Sequence, residues 1–169
     1  MRNEKAENTA EKLDETVAKS EKDDIIILDI ERTAVNGVHI IGALDLEKYK
    51  CVTTDIITKD VVITEKQIEH IKEHHPNDFE QFSSFLKDIV ENPDYIIEAN
   101  KPKTALILKE IITEHKKFKT VLRLVTSTDD PKYKNSIITF MKIDDKEWNR
   151  ILRNKYFTNR NKLIIILIE

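Results

Sequence analysis

The sequence predicts an α+β fold: two N-terminal helices packed on a four-stranded antiparallel sheet, preceded by a small β-hairpin and a disordered tail. Three observations carry this. A capped amphipathic segment is closed by His75-Pro76, a second apolar segment is closed by Asn92-Pro93, and four β-branched runs then follow between short polar turns.

At 169 residues the chain is long enough for one domain with a tail. Residues 1–24 are almost wholly charged or small, with Leu13 and Val17 as the sizeable apolar side chains, and should form a mobile tail or a loosely held helix. Residues 25–54 form a hairpin extension. In it Asn36-Gly37, between Thr33-Ala34-Val35 and Val38-His39-Ile40-Ile41, has the residues a two-residue turn requires. Extended stretches are expected at 49–57 and 61–63, with Cys51 a small core residue on the first.

Thr64 and Gln67 have capping-box spacing and Pro76 ends the segment, so residues 65–75 should be a helix of about three turns. Ile68, Ile71 and His75 share one face of it. A second helix starts at Asn77 or Asp78 and carries Phe79, Phe82, Phe85 or Leu86, Ile89 and Val90. Strands are expected at 95–99, 104–112, 119–128 and 135–143. Asp144 then caps a last helix through Trp148, Ile151 and Leu152, leaving 156–169 as a C-terminal extension whose apolar run 163–168 could be an edge strand.

No apolar run approaches the roughly 20 residues needed to cross a bilayer, and the N-terminus lacks an apolar signal core, so a cytoplasmic protein without membrane contact is expected. One cysteine excludes an internal disulfide framework and a cysteine zinc site. The net charge of -3 conceals a division. Residues 1–100 hold 12 Lys/Arg against 23 Asp/Glu, and residues 101–169 hold 16 against 8. A basic C-terminal third suits a phosphate-rich ligand, or serves only solubility.

The histidines admit three readings. His70-Ile71-Lys72-Glu73-His74 spells the inverted zincin pattern, but zinc needs a third ligand that this strand-rich remainder does not supply on a matching helix. His75, on the apolar face, is either a core or helix-terminal group or a general acid or base. His115 falls in a charged turn.

Residues two apart in a strand share a face, which groups Val121, Arg123, Val125 and Ser127. A mid-strand arginine either pairs with a carboxylate or awaits a phosphate. Lys134, Asn135, Ser136 and Thr139 bring a cation, an amide and hydroxyls near Ser127. A one-residue slip decides whether Ser136 or Thr139 shares the face of Arg123.

Several of these motifs occur together and in order: Val61-Val62-Ile63-Thr64-Glu65, Gln67-Ile68-Glu69-His70-Ile71, His75-Pro76, Asn92-Pro93-Asp94-Tyr95-Ile96, Val121-Leu122-Arg123-Leu124 and Lys134-Asn135-Ser136-Ile137-Ile138-Thr139-Phe140. Over residues 55–155 the chain resembles the phage and mobile-element branch of the BECR nucleases, which unites barnase, EndoU, colicin ribonucleases and RelE-like toxins. The resemblance implies N-terminal helices followed by a four-stranded antiparallel sheet. It also implies metal-independent RNA cleavage by acid-base chemistry, with His70, His75, Arg123 and Ser136 as catalytic candidates. Lys134, Asn135, Thr139 and Ser127 are expected to contact substrate. No cofactor or metal is implied. RNA is the expected partner, with a neutralising protein as a second. A non-catalytic RNA- or protein-binding module is the alternative, and a zinc peptidase built on His70 and His74 a more distant one.

Overall fold

In the computed structural model, which describes residues 36–158, six strands form one mixed sheet. The elements are β1 (Val38–Ala43), α1 (Leu46–Tyr49), β2 (Asp60–Thr64), α2 (Glu65–His74), α3 (Asp78–Phe82), α4 (Leu86–Glu91), β3 (Tyr95–Glu98), β4 (Thr104–Ile111), β5 (Lys116–Arg123), β6 (Asn135–Ile143) and α5 (Asp145–Thr158). Single 3₁₀ turns, Ser83–Phe85 and Ile112–Glu114, join α3 to α4 and β4 to β5. The sheet order is β1-β2-β6-β5-β4-β3. The charged tail, residues 33–35 of the expected hairpin and the run 163–168 lie outside the described residues.

The expected meander is present as β3-β4-β5-β6, all antiparallel. The expectation of a four-stranded sheet with helices on it is corrected in two respects. First, β1 and β2 pair antiparallel and join the meander through a parallel contact of β2 with β6, of which only two residue pairs exist, Val61 with Asn135 and Val62 with Ser136. Second, α5 packs on the face opposite the other helices, burying Trp148 and Ile151 against Ile97 and Leu108.

Alternation explains why both faces are used. Along β5, Phe118, Thr120 and Leu122 are fully buried, whereas Lys117, Lys119, Val121 and Arg123 are half-buried. The first set enters the main core, where Phe118 stacks on Phe140 with ring centroids 5.4 Å apart and Phe82 closes on it at 5.3 Å. The same core takes Ile68 and Ile71 from α2, Phe79 from α3, and Leu86, Ile89 and Val90 from α4.

Local chemistry sets the elements. Asn36 and Gly37 adopt φ of 56° and 72°, the positive values a type I′ turn demands. Residues 49–57, expected to be extended, instead follow a short helix capped by Asp45, whose Oδ1 accepts the Glu47 N–H at 3.1 Å. Tyr49 is buried there with its hydroxyl donating to Val90 O at 2.9 Å. Cys51 sits half-buried in the turn after that helix, beside the core, and burial raises its thiol pKa. The second predicted helix is divided by the 3₁₀ turn, yet Phe79, Phe82, Leu86, Ile89 and Val90 are all buried, as the helical spacing requires. β5 begins earlier and ends sooner than expected. Past Arg123 the chain leaves the sheet, and Leu124, Val125 and Thr126 are all buried with no alternation.

Beyond Ser136 no strand among the described residues pairs with the β2 side of β6. Helix α2 packs along β6 instead, and Asp78 at the start of α3 accepts the Lys142 N–H at 2.9 Å. No helix among the described residues is long and apolar enough to cross a membrane.

Candidate active site

The face of the sheet opposite the main core is only partly covered. Helix α5 occupies the β3-β4 side and fastens two lysines of β5, Lys117 to Asp145 at 2.7 Å and Lys119 to Glu147 at 3.1 Å. The far end of β5 and the start of β6 project beyond it. There Arg123 lies directly opposite Ser136, and on its other side opposite Thr104. Directly opposed residues present their side chains to the same face with Cβ atoms about 5 Å apart.

A β-bulge resolves the register. Val121 pairs with Thr139 and Arg123 with Ser136, so three residues of β5 are matched by four of β6. Ser136 and Thr139, of opposite parity in an unbroken strand, therefore both flank the Arg123 side. What the sequence poses as a choice is in the molecule both at once.

The guanidinium of Arg123 is held open-handed. Nη1 donates to Leu124 O at 2.8 Å and Lys103 O at 3.3 Å, and Nη2 to Asp129 Oδ1 at 3.1 Å. Two of its five N–H donors have no partner among the described residues. Asp129 is itself fixed from the other side. Its Oδ2 accepts from Thr126 N and Thr126 Oγ1, each at 2.9 Å, and from Lys103 Nζ at 3.2 Å. The Thr126 N–H and hydroxyl, then Lys103 and Arg123, hold its carboxyl down at about 2. Lys103 also donates to Thr128 Oγ1, and its backbone is left-handed, with φ of 56°.

Helix α2 supplies the wall beside β6. The capping box forms as predicted: Thr64 Oγ1 accepts from Gln67 N at 3.3 Å and Gln67 Oε1 from Thr64 N at 2.8 Å. The remaining end of Gln67, Nε2, donates to Ser136 Oγ at 2.8 Å. One side chain thus starts the helix and fixes the hydroxyl facing Arg123. Gln67, His70 and His74 recur at i, i+3 and i+7, one side of the helix. His70 is exposed one turn beyond Gln67, and its ring lies 4.2 Å from that of His74. His74 Nδ1 is 2.9 Å from His70 O, which makes it the protonated nitrogen.

His75 is the helix C-cap and half-buried. Burial is the main cause holding its pKa below the ordinary histidine value, and the charges of His74, Lys119 and His70 act in the same direction against Asp78. Among the described residues no three side chains of metal-ligating type gather, so the His70 and His74 pair has no third ligand of that kind beside it.

The other sequence-predicted residues divide. Lys134 is exposed and bonds Asp60 Oδ2 at 2.5 Å; Ser127 is exposed and its hydroxyl donates to Asp55 Oδ2 at 2.6 Å. Asn135 is fully buried. Its Oδ1 accepts Val125 N at 2.9 Å and its Nδ2 donates to Thr58 O and Asp60 O at 2.7 and 3.1 Å, so the amide joins three segments of the protein. Sequence reasoning gave Gln67 only a capping role and did not single out Asp129 or Lys103. The cap-residue spacing was visible; one of two adjacent aspartates in a polar turn carried no signal.

An open depression of about 720 Å³ lies at the opposite end of β5, between Lys116, Lys117 and Lys142 and the carboxylates Glu110, Asp144 and Asp145. Seven residues of strand, roughly 23 Å, separate it from Arg123.

Residues 37–157 match the family PBECR2, described as phage-Barnase-EndoU-ColicinE5/D-RelE like nuclease 2. No curated protein and no solved structure matches the chain.

Proposed function

The chain belongs to the PBECR2 family of nucleases, and we propose that it cleaves RNA by metal-independent transesterification on the open end of the sheet. The observation that carries this reading is the direct opposition of Arg123 and Ser136, with Gln67 anchoring the serine. A planar guanidinium with donors to spare, beside an oriented hydroxyl, suits two oxygens of one phosphodiester.

In the reaction the RNA 2′-oxygen attacks the adjacent phosphorus, the P–O5′ bond breaks, and a 2′,3′-cyclic phosphate and a free 5′-hydroxyl result. The 2′-proton passes to a histidine of α2, and the departing 5′-oxygen takes a proton from solvent or a second acid. His70 is one turn from the Gln67-Ser136 pair; burial lowers the His75 pKa, a shift toward the form that accepts a proton. Arg123 and Lys134 stabilise the charge that develops on the phosphorane oxygens, and Ser136 and Thr139 position them.

The test is a short RNA incubated with the full chain in a metal chelator. Expected are cyclic-phosphate ends, no cleavage when the 2′-hydroxyl at the scissile position is replaced by hydrogen, and at least a hundredfold loss in Arg123→Ala. Loss of His70→Ala or His75→Ala activity identifies the base. Unchanged cleavage in Arg123→Ala, or cleavage of DNA at the same rate, overturns the reading.

A second reading has one observation in its favour: Arg123 and Ser136 are already bonded within the protein. A binding module would hold RNA there without cutting it, with salt-sensitive affinity that Arg123→Ala weakens.

A further inference from the structure

The segment from β5 to β6, residues 124–134, far exceeds the two to five residues of an ordinary hairpin connection. It is nonetheless tied along its length. Val125 N–H is bonded by Asn135, Ser127 by Asp55, and Asp129 by Thr126, Lys103 and Arg123. At its end Lys132 N donates to Asp130 Oδ1 at 2.9 Å and Tyr133 N to Asp130 O at 2.9 Å. Lys134 is held by Asp60.

On this fixed backbone Tyr133 is 63% exposed, the largest exposed aromatic side chain among the described residues. Its ring and hydroxyl contact no other side chain's ring or polar group there. It stands between Lys132, which has no carboxylate partner among the described residues, and Lys134. Ser136 is three positions further on, at most roughly 10 Å along an extended chain. A pre-set, exposed aromatic beside cations is the arrangement on which unpaired bases stack, and it needs little ordering when a base arrives.

We propose that Tyr133 is a nucleotide subsite: an unpaired base of single-stranded RNA stacks on its ring, next to the nucleotide whose phosphate lies at Arg123, while Lys132 contacts the intervening backbone. The subsite rests on the ribonuclease reading and gives it a substrate class, RNA with an unpaired base at the neighbouring position. Base identity is weakly discriminated, because every base offers a π-face.

The probe is a fluorescent ten-nucleotide single strand with 2′-O-methyl groups throughout, which cannot be cleaved, titrated into the full chain by anisotropy. Tyr133→Ala should weaken binding about tenfold and Tyr133→Phe less than twofold, with thermal midpoints of both nearly unchanged because the side chain is mostly exposed. Lys132→Ala should lower the salt slope by about one without changing the Tyr133 effect. On a cleavable strand, Tyr133→Ala should raise KM and leave kcat within about twofold. The proposal is overturned if Tyr133→Ala binds within twofold of the parent, if Tyr133→Phe is as weak as the alanine variant, or if duplex RNA binds as well as the single strand. Failure of the ribonuclease reading looks different: the parent binds the strand, and the tyrosine variants still separate, but no cleavage occurs.

Discussion

Asn135 offers the sharpest test of how the site is held, because sequence alone suggests a substrate contact and the structure shows a buried joint. Replacing it with alanine removes three hydrogen bonds: one accepted from Val125 N and two donated to Thr58 O and Asp60 O. Each is worth roughly 0.5–1.5 kcal/mol net, and the Val125 N–H left in a buried setting costs about 1–3 kcal/mol. The two carbonyls retain a second lone pair and lose less. A loss of about 2–4 kcal/mol follows, or roughly 5–15 °C in Tm for a domain of this size. Urea unfolding followed by Trp148, the single tryptophan, measures it. Asn135→Asp keeps the acceptor for Val125 but turns an oxygen toward two carbonyls. It should be at least as unstable at neutral pH and should recover as its carboxyl protonates. A shift below about 1 kcal/mol for the alanine variant, with RNA affinity lost, would refute the reasoning and return Asn135 to the binding surface.

Three further outcomes are expected. Asp129 has its folded pKa depressed to about 2, so its stabilisation is present above the ordinary carboxylate value of about 3.9 and is lost as pH falls toward 2. Asp129→Asn should therefore show a shallower acid-unfolding limb in that window, and an unchanged limb would contradict the network. His75 has its pKa lowered, chiefly by burial, so the unfolded chain takes the proton first and stability declines as pH drops below about 6.5. His75→Gln should flatten that decline in denaturant midpoints measured from about pH 7.5 to 5; the same slope in both proteins would dismiss it. Thr64→Ala should cost about 1 kcal/mol by removing the α2 cap, with Thr64→Ser restoring most of it. Equal denaturant midpoints for the alanine variant and the parent would show the cap to be idle.

Features written in local chemistry were legible. The Thr64 and Gln67 box starts α2 where expected, β6 has the predicted bounds, and Asn36-Gly37 turns with positive φ. Features set by tertiary pairing were not. The parallel contact of β2 with β6 involves two residue pairs, too few to leave a pattern, and the bulge at Val121/Leu122 changes which residues share a face without any Gly or Pro to mark it. α1 was missed although Asp45 is a proper N-cap, because the β-branched residues after Tyr49 read as strand while tertiary burial of Tyr49 favoured a helical turn. At the site, the sequence left open whether Ser136 or Thr139 shares the face of Arg123, and the partners of Arg123 and Ser136, Asp129 and Gln67, depended on how the chain returns in space. The basic character of the C-terminal third is likewise muted by folding, since Lys103, Lys109, Lys116, Lys117, Lys119 and Lys134 all meet carboxylates.

The two-pair contact between β2 and β6 is the narrowest junction within the sheet, bridged by the main core that α2 and β2 share with the meander. Everything before it, β1, β2 and α2 with its histidines, can be regarded as one plate, and the meander carrying Arg123 as another. Asn135 rivets the plates by reaching from β6 to Thr58 and Asp60, and Gln67 bridges them at Ser136. A pull applied at the N-terminal side would load this sheet junction, with the packing of α2 and β2 on the main core resisting it. Such a pull would act between His70 and His75 at α2 and Arg123 on the meander.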